Sequence, residues 1–227
     1  MSETSTLQAP LMSGGTGPHS GRPIAQAGAA LGEARAVLIV LHGRGGNAAD
    51  MLGHGGAIAE PDVALIAPEA AANSWYSFRS GEPGRRRKPD MDPAVSVLGD
   101  LVDRLVLEGT EPARIALFGF SQGACVALQY AMTARRRVGA IIGFSGALIG
   151  DVAVAPAPQA FAGMRLLLGC SDQDPLCPIA KVRNTERVFR SLGADVTTRV
   201  YPGNDHVINA DEVTIAGDMM RVLAAPS

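Results

Sequence analysis

Gly119-Phe120-Ser121-Gln122-Gly123 stands between an apolar run, Arg114-Ile115-Ala116-Leu117-Phe118, and a helix-like stretch over residues 124–134. The apolar run reads as a short buried strand. A Gly-x-Ser-x-Gly pentapeptide where a strand turns sharply into a helix is the pattern of a nucleophile elbow. A turn that tight strains the serine backbone. The positions two residues to either side must be small, and Gly119 and Gly123 are. The same turn lifts the Ser121 hydroxyl above the sheet edge and aims the Gln122 N–H at a developing oxyanion. Small residues beside a serine are common, so the flanking strand and helix are what give the pentapeptide its weight.

Working outward, strands and helices alternate. Residues 36–41 are a continuous apolar run of the buried-strand type. Residues 47–58 read as a helix capped by Asn47, and residues 63–67 as a strand stopped by Pro68. Residues 93–107 are helical, with Asp92 as N-cap and Pro93 at the first position. Strands follow over residues 138–144 and 164–169, then a helix over 179–192 that stops at Gly193. Residues 195–201 alternate as a strand, and residues 209–223 form the last helix. This order predicts an α/β fold with a mainly parallel sheet and helices on both faces. No repeat or linker divides residues 22–227, which read as one domain. Residues 1–21 are rich in Ser, Gly, Thr and Pro and are expected to be disordered or an expression remnant.

A chain of 227 residues can bury a full core without metal or disulfide support. Hydrophobic residues make up 47% and charged residues 19%, as in ordinary globular proteins. A net charge of −2 argues against a general nucleic-acid binder. The basic runs Arg85-Arg86-Arg87-Lys88 and Arg135-Arg136-Arg137 read as a solvated loop and a helix end whose dipole Arg complements. Three cysteines, Cys125, Cys170 and Cys177, have no metal-ligand spacing. Cys125 reads as a small core residue, and Cys170 and Cys177 flank a turn, which leaves their pairing open. No signal-peptide pattern and no apolar run of membrane-spanning length is seen, so a cytoplasmic location is expected.

Active groups of a parallel sheet sit on loops at the C-terminal ends of its strands. Serine needs an adjacent base, and the elbow pattern runs in the order Ser, acid, His. Of the four histidines, His19, His42, His54 and His206, only His206 follows Ser121. It also lies just past a predicted strand, in Pro202-Gly203-Asn204-Asp205-His206. The acid candidates are Asp151, Asp172, Asp174, Asp195 and Asp205. Asp195 opens a strand at the wrong end of the sheet. Asp205 is next to His206 and would point elsewhere, and Asp151 is remote. Asp172 and Asp174 both follow residues 164–169. Asp174 is favoured because Pro175 and Pro178 restrict the backbone after it, and Asp172 then reads as a turn residue. Leu41-His42-Gly43-Arg44-Gly45-Gly46 can supply the second oxyanion donor from the Arg44 N–H, paired with that of Gln122. His42 reads as ordering this loop. A nucleotide-phosphate loop is a poorer reading, because neither known glycine spacing is present.

Leu41-His42-Gly43-Arg44-Gly45-Gly46, Gly119-Phe120-Ser121-Gln122-Gly123-Ala124, Ser145-Gly146-Ala147-Leu148, Ser171-Asp172-Gln173-Asp174-Pro175 and Tyr201-Pro202-Gly203 with His206 together resemble the phospholipase/carboxylesterase family, which includes acyl-protein thioesterases. The resemblance runs from about Gly21 through the last helix. It implies a single α/β-hydrolase domain without a large lid, and it places the acid on Asp174. It also implies hydrolysis of a small-molecule ester or thioester with no metal or cofactor, and it is the sole basis for expecting a homodimer. Two departures are Ala124, where the family has a second glycine, and the basic segment 81–90.

In the family, the loop that corresponds to Trp75, Tyr76 and Phe78 helps line the substrate site. Leu148 and Ile149 are a second candidate wall, which would suit an acyl chain. Packing over the sheet edge is the competing reading for the aromatics. The expected activity is that of a carboxylesterase working through Ser121, His206 and Asp174. An acyl-protein or lysophospholipid thioesterase is the first alternative. A non-catalytic binding protein on the same scaffold is the second.

Overall fold

The apolar run Ala36–Leu41 is strand β2, buried at every residue. It is flanked by strands on both sides and by helices above and below. The computed structural model describes residues 11–14, 17–78, 88–133, 136–150 and 159–226. Further strands are β1 (Ala25–Gly28), β3 (Val63–Ala67), β4 (Ile115–Phe120), β5 (Ala140–Phe144), β6 (Arg165–Ser171) and β7 (Asp195–Tyr201). The helices are α1 (Ala48–Gly56), α2 (Lys88–Leu107), α3 (Gln122–Thr133), α4 (Ile179–Ser191) and α5 (Ala210–Ala224). The sheet has seven strands in the order β1-β3-β2-β4-β5-β6-β7. All neighbours pair in parallel except β1, which runs antiparallel to β3.

Alternation along β2 divides the core into two layers. Val37, Ile39 and Leu41 face one layer with α2, α3 and α4. Ala36, Leu38 and Val40 face the other with α1 and α5. The fold is therefore the mainly parallel α/β sheet with helices on both faces that the alternation predicts.

Three expectations are corrected. Strand β1 was not foreseen, because Ala25–Gly28 carries no apolar pattern and is mostly exposed. Helix α2 begins at Lys88, so Asp92 is not its cap and Pro93 lies inside it. Burial of Met91 and Ala94 holds this opening turn against the bond that Pro93 omits. The described part of the N-terminal stretch is anchored rather than disordered. Met12 bridges Pro23, and Leu11, Ser13 and His19 are buried. The Ser13 hydroxyl donates to the His19 carbonyl at 2.6 Å. Residues 1–10 and 15–16, the run Arg85-Arg86-Arg87, Arg135 and Asp151 lie outside the described residues. Among the described residues, no helix is long and apolar enough to cross a membrane.

Candidate active site

The elbow joins β4 to α3. Ser121 sits at φ 53°, a strained conformation for a residue with a side chain. Its N–H continues the sheet ladder to the Phe144 carbonyl at 2.9 Å. A Cβ on Gly119 would stand 2.3 Å from the Gly123 backbone, and one on Gly123 would stand 2.1 Å from the Leu41 carbonyl oxygen. Both glycines are therefore required by close backbone approach. The methyl group of Ala124 is accommodated because Gly146 faces it, where a Cβ would come within 2.4 Å.

Past β6, Asp174 turns inward. Its Oδ1 accepts from the N–H groups of Leu176, at 2.8 Å, and Cys177, at 3.0 Å. Its Oδ2 stands 2.7 Å from His206 Nδ1. The Asp174 side chain is fully buried and that of His206 is 17% exposed. Burial pushes the Asp174 carboxyl up, but the hydrogen bonds from His206, Leu176 and Cys177 outweigh it and leave the group below its ordinary value. Asp172 instead ties the loop after β6 to the loop after β7, with Oδ1 accepting the Gly203 N–H at 2.9 Å. Asp205 spends its carbonyl on the Ser171 hydroxyl at 2.7 Å, which ties the His206 loop to the end of β6. Asp195 opens β7 at the far end.

The loop after His206 ends in a capping box. Asn209 accepts the Glu212 N–H at 3.0 Å, and Glu212 accepts the Asn209 N–H at 2.9 Å. Glu212 is buried, and a Cβ on Gly169 of β6 would fall 2.0 Å from its Oε1. Burial pushes this carboxyl up to about 7. The His206 ring lies against Phe120, the residue before Ser121, with centroids 4.9 Å apart. Among the described residues, the Ser121 hydroxyl makes no hydrogen bond to His206. Such bonds often close only around substrate.

In the β2–α1 loop, Ala70 N–H donates to His42 Nε2 at 3.1 Å, so Nδ1 carries the proton and donates to the Gly43 carbonyl at 2.7 Å. His42 orders the loop, as its position suggested. The Gly45 and Gly46 amides donate to Asn73 and Gly43. The Arg44 and Gln122 amides meet no acceptor among the described residues. The side chains of the same two residues go elsewhere. Arg44 Nη2 donates to the carbonyls of Tyr76, at 3.0 Å, and Phe78, at 2.7 Å. Gln122 Nε2 donates to the Tyr76 carbonyl at 2.9 Å, and its Oε1 accepts the Trp75 N–H at 3.0 Å. These side-chain roles were missed in the sequence, which carries no local signal for contacts so distant along the chain.

A cavity of about 340 Å³ opens beside Ser121, with Tyr76, Phe78, Leu148 and Ile149 in its wall together with Cys125 and Leu176. Tyr76 and Phe78 stack at 4.4 Å. Burial and the neighbouring Cys125 thiol push the Tyr76 phenol well up, so it stays protonated, while Arg44 and Lys181 bring positive charge to the cavity lining. Trp75 is a correction. Its ring is buried below the wall, packed against His19 and His42, and its Nε1 donates to the His42 carbonyl at 2.8 Å. All three cysteines are free, and Cys170 Sγ lies 3.5 Å from the Cys177 carbonyl. Among the described residues, no group of His, Cys, Asp and Glu could hold a metal ion.

A parallel sheet with a serine elbow on a central strand, and an Asp and a His on loops beyond two later strands, defines an α/β-hydrolase scaffold. The chain belongs to the phospholipase/carboxylesterase family, whose model matches residues 25–223. This is a family of ester-hydrolysing enzymes. Among solved structures, a phospholipase/carboxylesterase from Dyadobacter fermentans shares 30% identity with a TM-score of 0.79. That match covers 87% of this chain and 95% of the other. Esterase PE8 shares 25% identity with a TM-score of 0.73, over 88% and 97% of the two chains. Acyl-protein thioesterase 1 of Gibberella zeae is 27% identical over 130 residues, 56% of this chain and 55% of that protein. The aligned stretch thus spans about half the length of that curated relative.

Proposed function

We propose that the protein hydrolyses carboxylic esters of small or acyl-chain substrates through an acyl-enzyme on Ser121. The observation that carries this reading is the Asp174–His206 pair, 2.7 Å apart, on loops that face the strained Ser121 elbow. His206 Nε2 removes the Ser121 proton as Oγ attacks the ester carbonyl. Asp174 holds His206 in the tautomer with the proton on Nδ1 and stabilises the imidazolium that forms. The free amides of Arg44 and Gln122 receive the oxyanion. His206 then protonates the leaving alcohol. In deacylation it takes a proton from water as the water attacks the acyl carbonyl, and returns a proton to Ser121 Oγ as the acid leaves. The acyl group occupies the cavity walled by Tyr76, Phe78, Leu148 and Ile149.

A second reading, hydrolysis of thioesters on acylated proteins or of the acyl esters of lysophospholipids, is favoured by the likeness to acyl-protein thioesterase 1 and by the apolar wall. The test is hydrolysis of p-nitrophenyl esters from acetyl to palmitoyl, with matched thioesters, by wild type and Ser121→Ala. Turnover that vanishes in Ser121→Ala supports the assignment, and its chain-length and thioester profile separates the two readings. Retained turnover in the folded variant would overturn the assignment. Silence of the wild type on every substrate would favour a non-catalytic binding role.

A further inference from the structure

The segment 74–78 is gripped from both halves of the anticipated oxyanion hole. Arg44 Nη1 donates to Ser74 Oγ at 3.1 Å, and Nη2 reaches the carbonyls of Tyr76, Ser77 and Phe78. Gln122, 5% exposed, holds Trp75 N–H and the Tyr76 carbonyl. One acceptor, the Tyr76 carbonyl, therefore takes donors from both residues, at 3.0 and 2.9 Å. The turn just before this segment holds Ala72 at φ 48° and Asn73 at φ 54°. Such strain persists only where surrounding bonds enforce it. Asn73 supplies two of them, accepting the Gly45 N–H and donating to the Gly46 carbonyl, each at 2.7 Å. The segment also carries Tyr76 and Phe78, the aromatic wall of the cavity.

We propose that the Arg44 and Gln122 side chains are positioning groups that lock the two oxyanion amides to the acyl wall through the Tyr76 carbonyl. Filling the cavity then improves transition-state stabilisation and is read out in kcat. Without such a link, the wall would contribute uniform binding and alter KM alone. The inference rests on the serine-esterase reading above, and its test is separable from that one.

The experiment measures kcat and KM on p-nitrophenyl acetate and p-nitrophenyl octanoate for wild type, Arg44→Met, Gln122→Met, the double variant and Ser74→Ala. Arg44→Met and Gln122→Met each keep the backbone amide but remove the clamp. Each is expected to lower kcat on octanoate about 10- to 100-fold, since a displaced donor costs less than a deleted one. The kcat loss on acetate is expected to be smaller, with KM within about threefold. Because both side chains act on one carbonyl, the double variant should lose less than the product of the single losses. Ser74→Ala, which removes one hydroxyl, should show the same direction in a milder form. Equal kcat losses on both esters, a change in KM alone, or multiplicative losses would each overturn the coupling while leaving the Ser121 assignment intact. Near-UV circular dichroism of Trp75, the chain's single tryptophan, verifies that each variant is folded.

Discussion

His206 Nδ1 and Asp174 Oδ2 are 2.7 Å apart, and the other Asp174 oxygen is held by two backbone N–H groups. The carboxylate is thus fixed in place before it orients the imidazole. Asp174→Asn keeps the shape but removes the charge and favours the wrong tautomer. It should lower kcat about 10⁴-fold, the scale seen when such an acid is neutralised. Asp172→Asn retains the oxygen that Gly203 needs and should change kcat little. Steady-state kinetics of the two variants decide the matter, and a reversed ranking would move the acid to Asp172.

The same pair sets an acid limit. Asp174 titrates below its ordinary value of 3.8, so its contribution to stability is complete above that pH and is lost as pH falls through the folded-state value. Thermal melts from pH 3.8 downward should show a shallower acid decline in Asp174→Asn than in wild type. An identical slope in both would contradict the assignment of this group to the acid limb.

Glu212 works in the opposite sense. Burial, opposed by the Asn209 N–H and assisted by Asp211, raises it from 4.5 to about 7. Between those values the folded chain keeps a proton that the unfolded chain releases, so this group makes stability fall as pH rises across the window. Glu212→Gln preserves an acceptor for the cap without the charge. The melting-temperature difference between pH 5 and pH 8 should change towards greater stability at pH 8 relative to wild type. Unchanged differences would show that Glu212 does not titrate there.

The elbow, the strand–helix alternation it belongs to and the His206 loop were legible because each is a local pattern. A strand run, a pair of glycines and one eligible histidine suffice for these. Asp174 was harder, since Asp172 shares its loop, and the resemblance rather than spacing separated them. The aromatic loop was legible only as a cluster. Nothing in Trp75-Tyr76-Ser77-Phe78 distinguishes the buried Trp75, whose partners His19 and His42 are far away in sequence, from the cavity-facing Tyr76 and Phe78. The anchored segment around His19 looked disordered because small polar residues carry no periodicity. Its order comes from a few long-range bonds, such as His19 Nε2 to the Trp75 carbonyl at 3.1 Å.

That His19 contact yields a further expectation. Ala71 N–H donates to His19 Nδ1 at 3.0 Å, so His19 and His42 each need one unprotonated nitrogen. Burial lowers both below the ordinary 6.5. Their contribution to stability is therefore present above 6.5 and is lost as pH falls through the lower folded values. Both rings flank Trp75, so its emission should shift as acid is added below that point, before global unfolding. His19→Gln should already show part of the shift at neutral pH. A wild-type spectrum that stays flat until the global transition would refute this.

Glycine substitutions test whether the elbow's constraint is backbone contact or merely small size. A Cβ at Gly123 would meet the Leu41 carbonyl oxygen at 2.1 Å, and one at Gly119 would meet the backbone of Gly123 at 2.3 Å. Neither obstacle is a side-chain end that can swing aside. At Gly143, on the neighbouring strand, a Cβ finds side-chain atoms at 3.6 Å or beyond, which is ordinary contact. Gly123→Ala should therefore cost about 3 kcal/mol, the upper end for overpacking, or roughly 6–12 °C in melting temperature for a chain of this size. Gly143→Ala should cost under about 1 kcal/mol. Gly123→Ala should also lower kcat, because the displaced Leu41 carbonyl leads directly into His42, Gly43 and the Arg44 amide. A melting temperature for Gly123→Ala equal to that of Gly143→Ala would mean that β2 can retreat from the elbow. The close approach of the end of β2 to the elbow would then not be what holds Ser121 in its strained position.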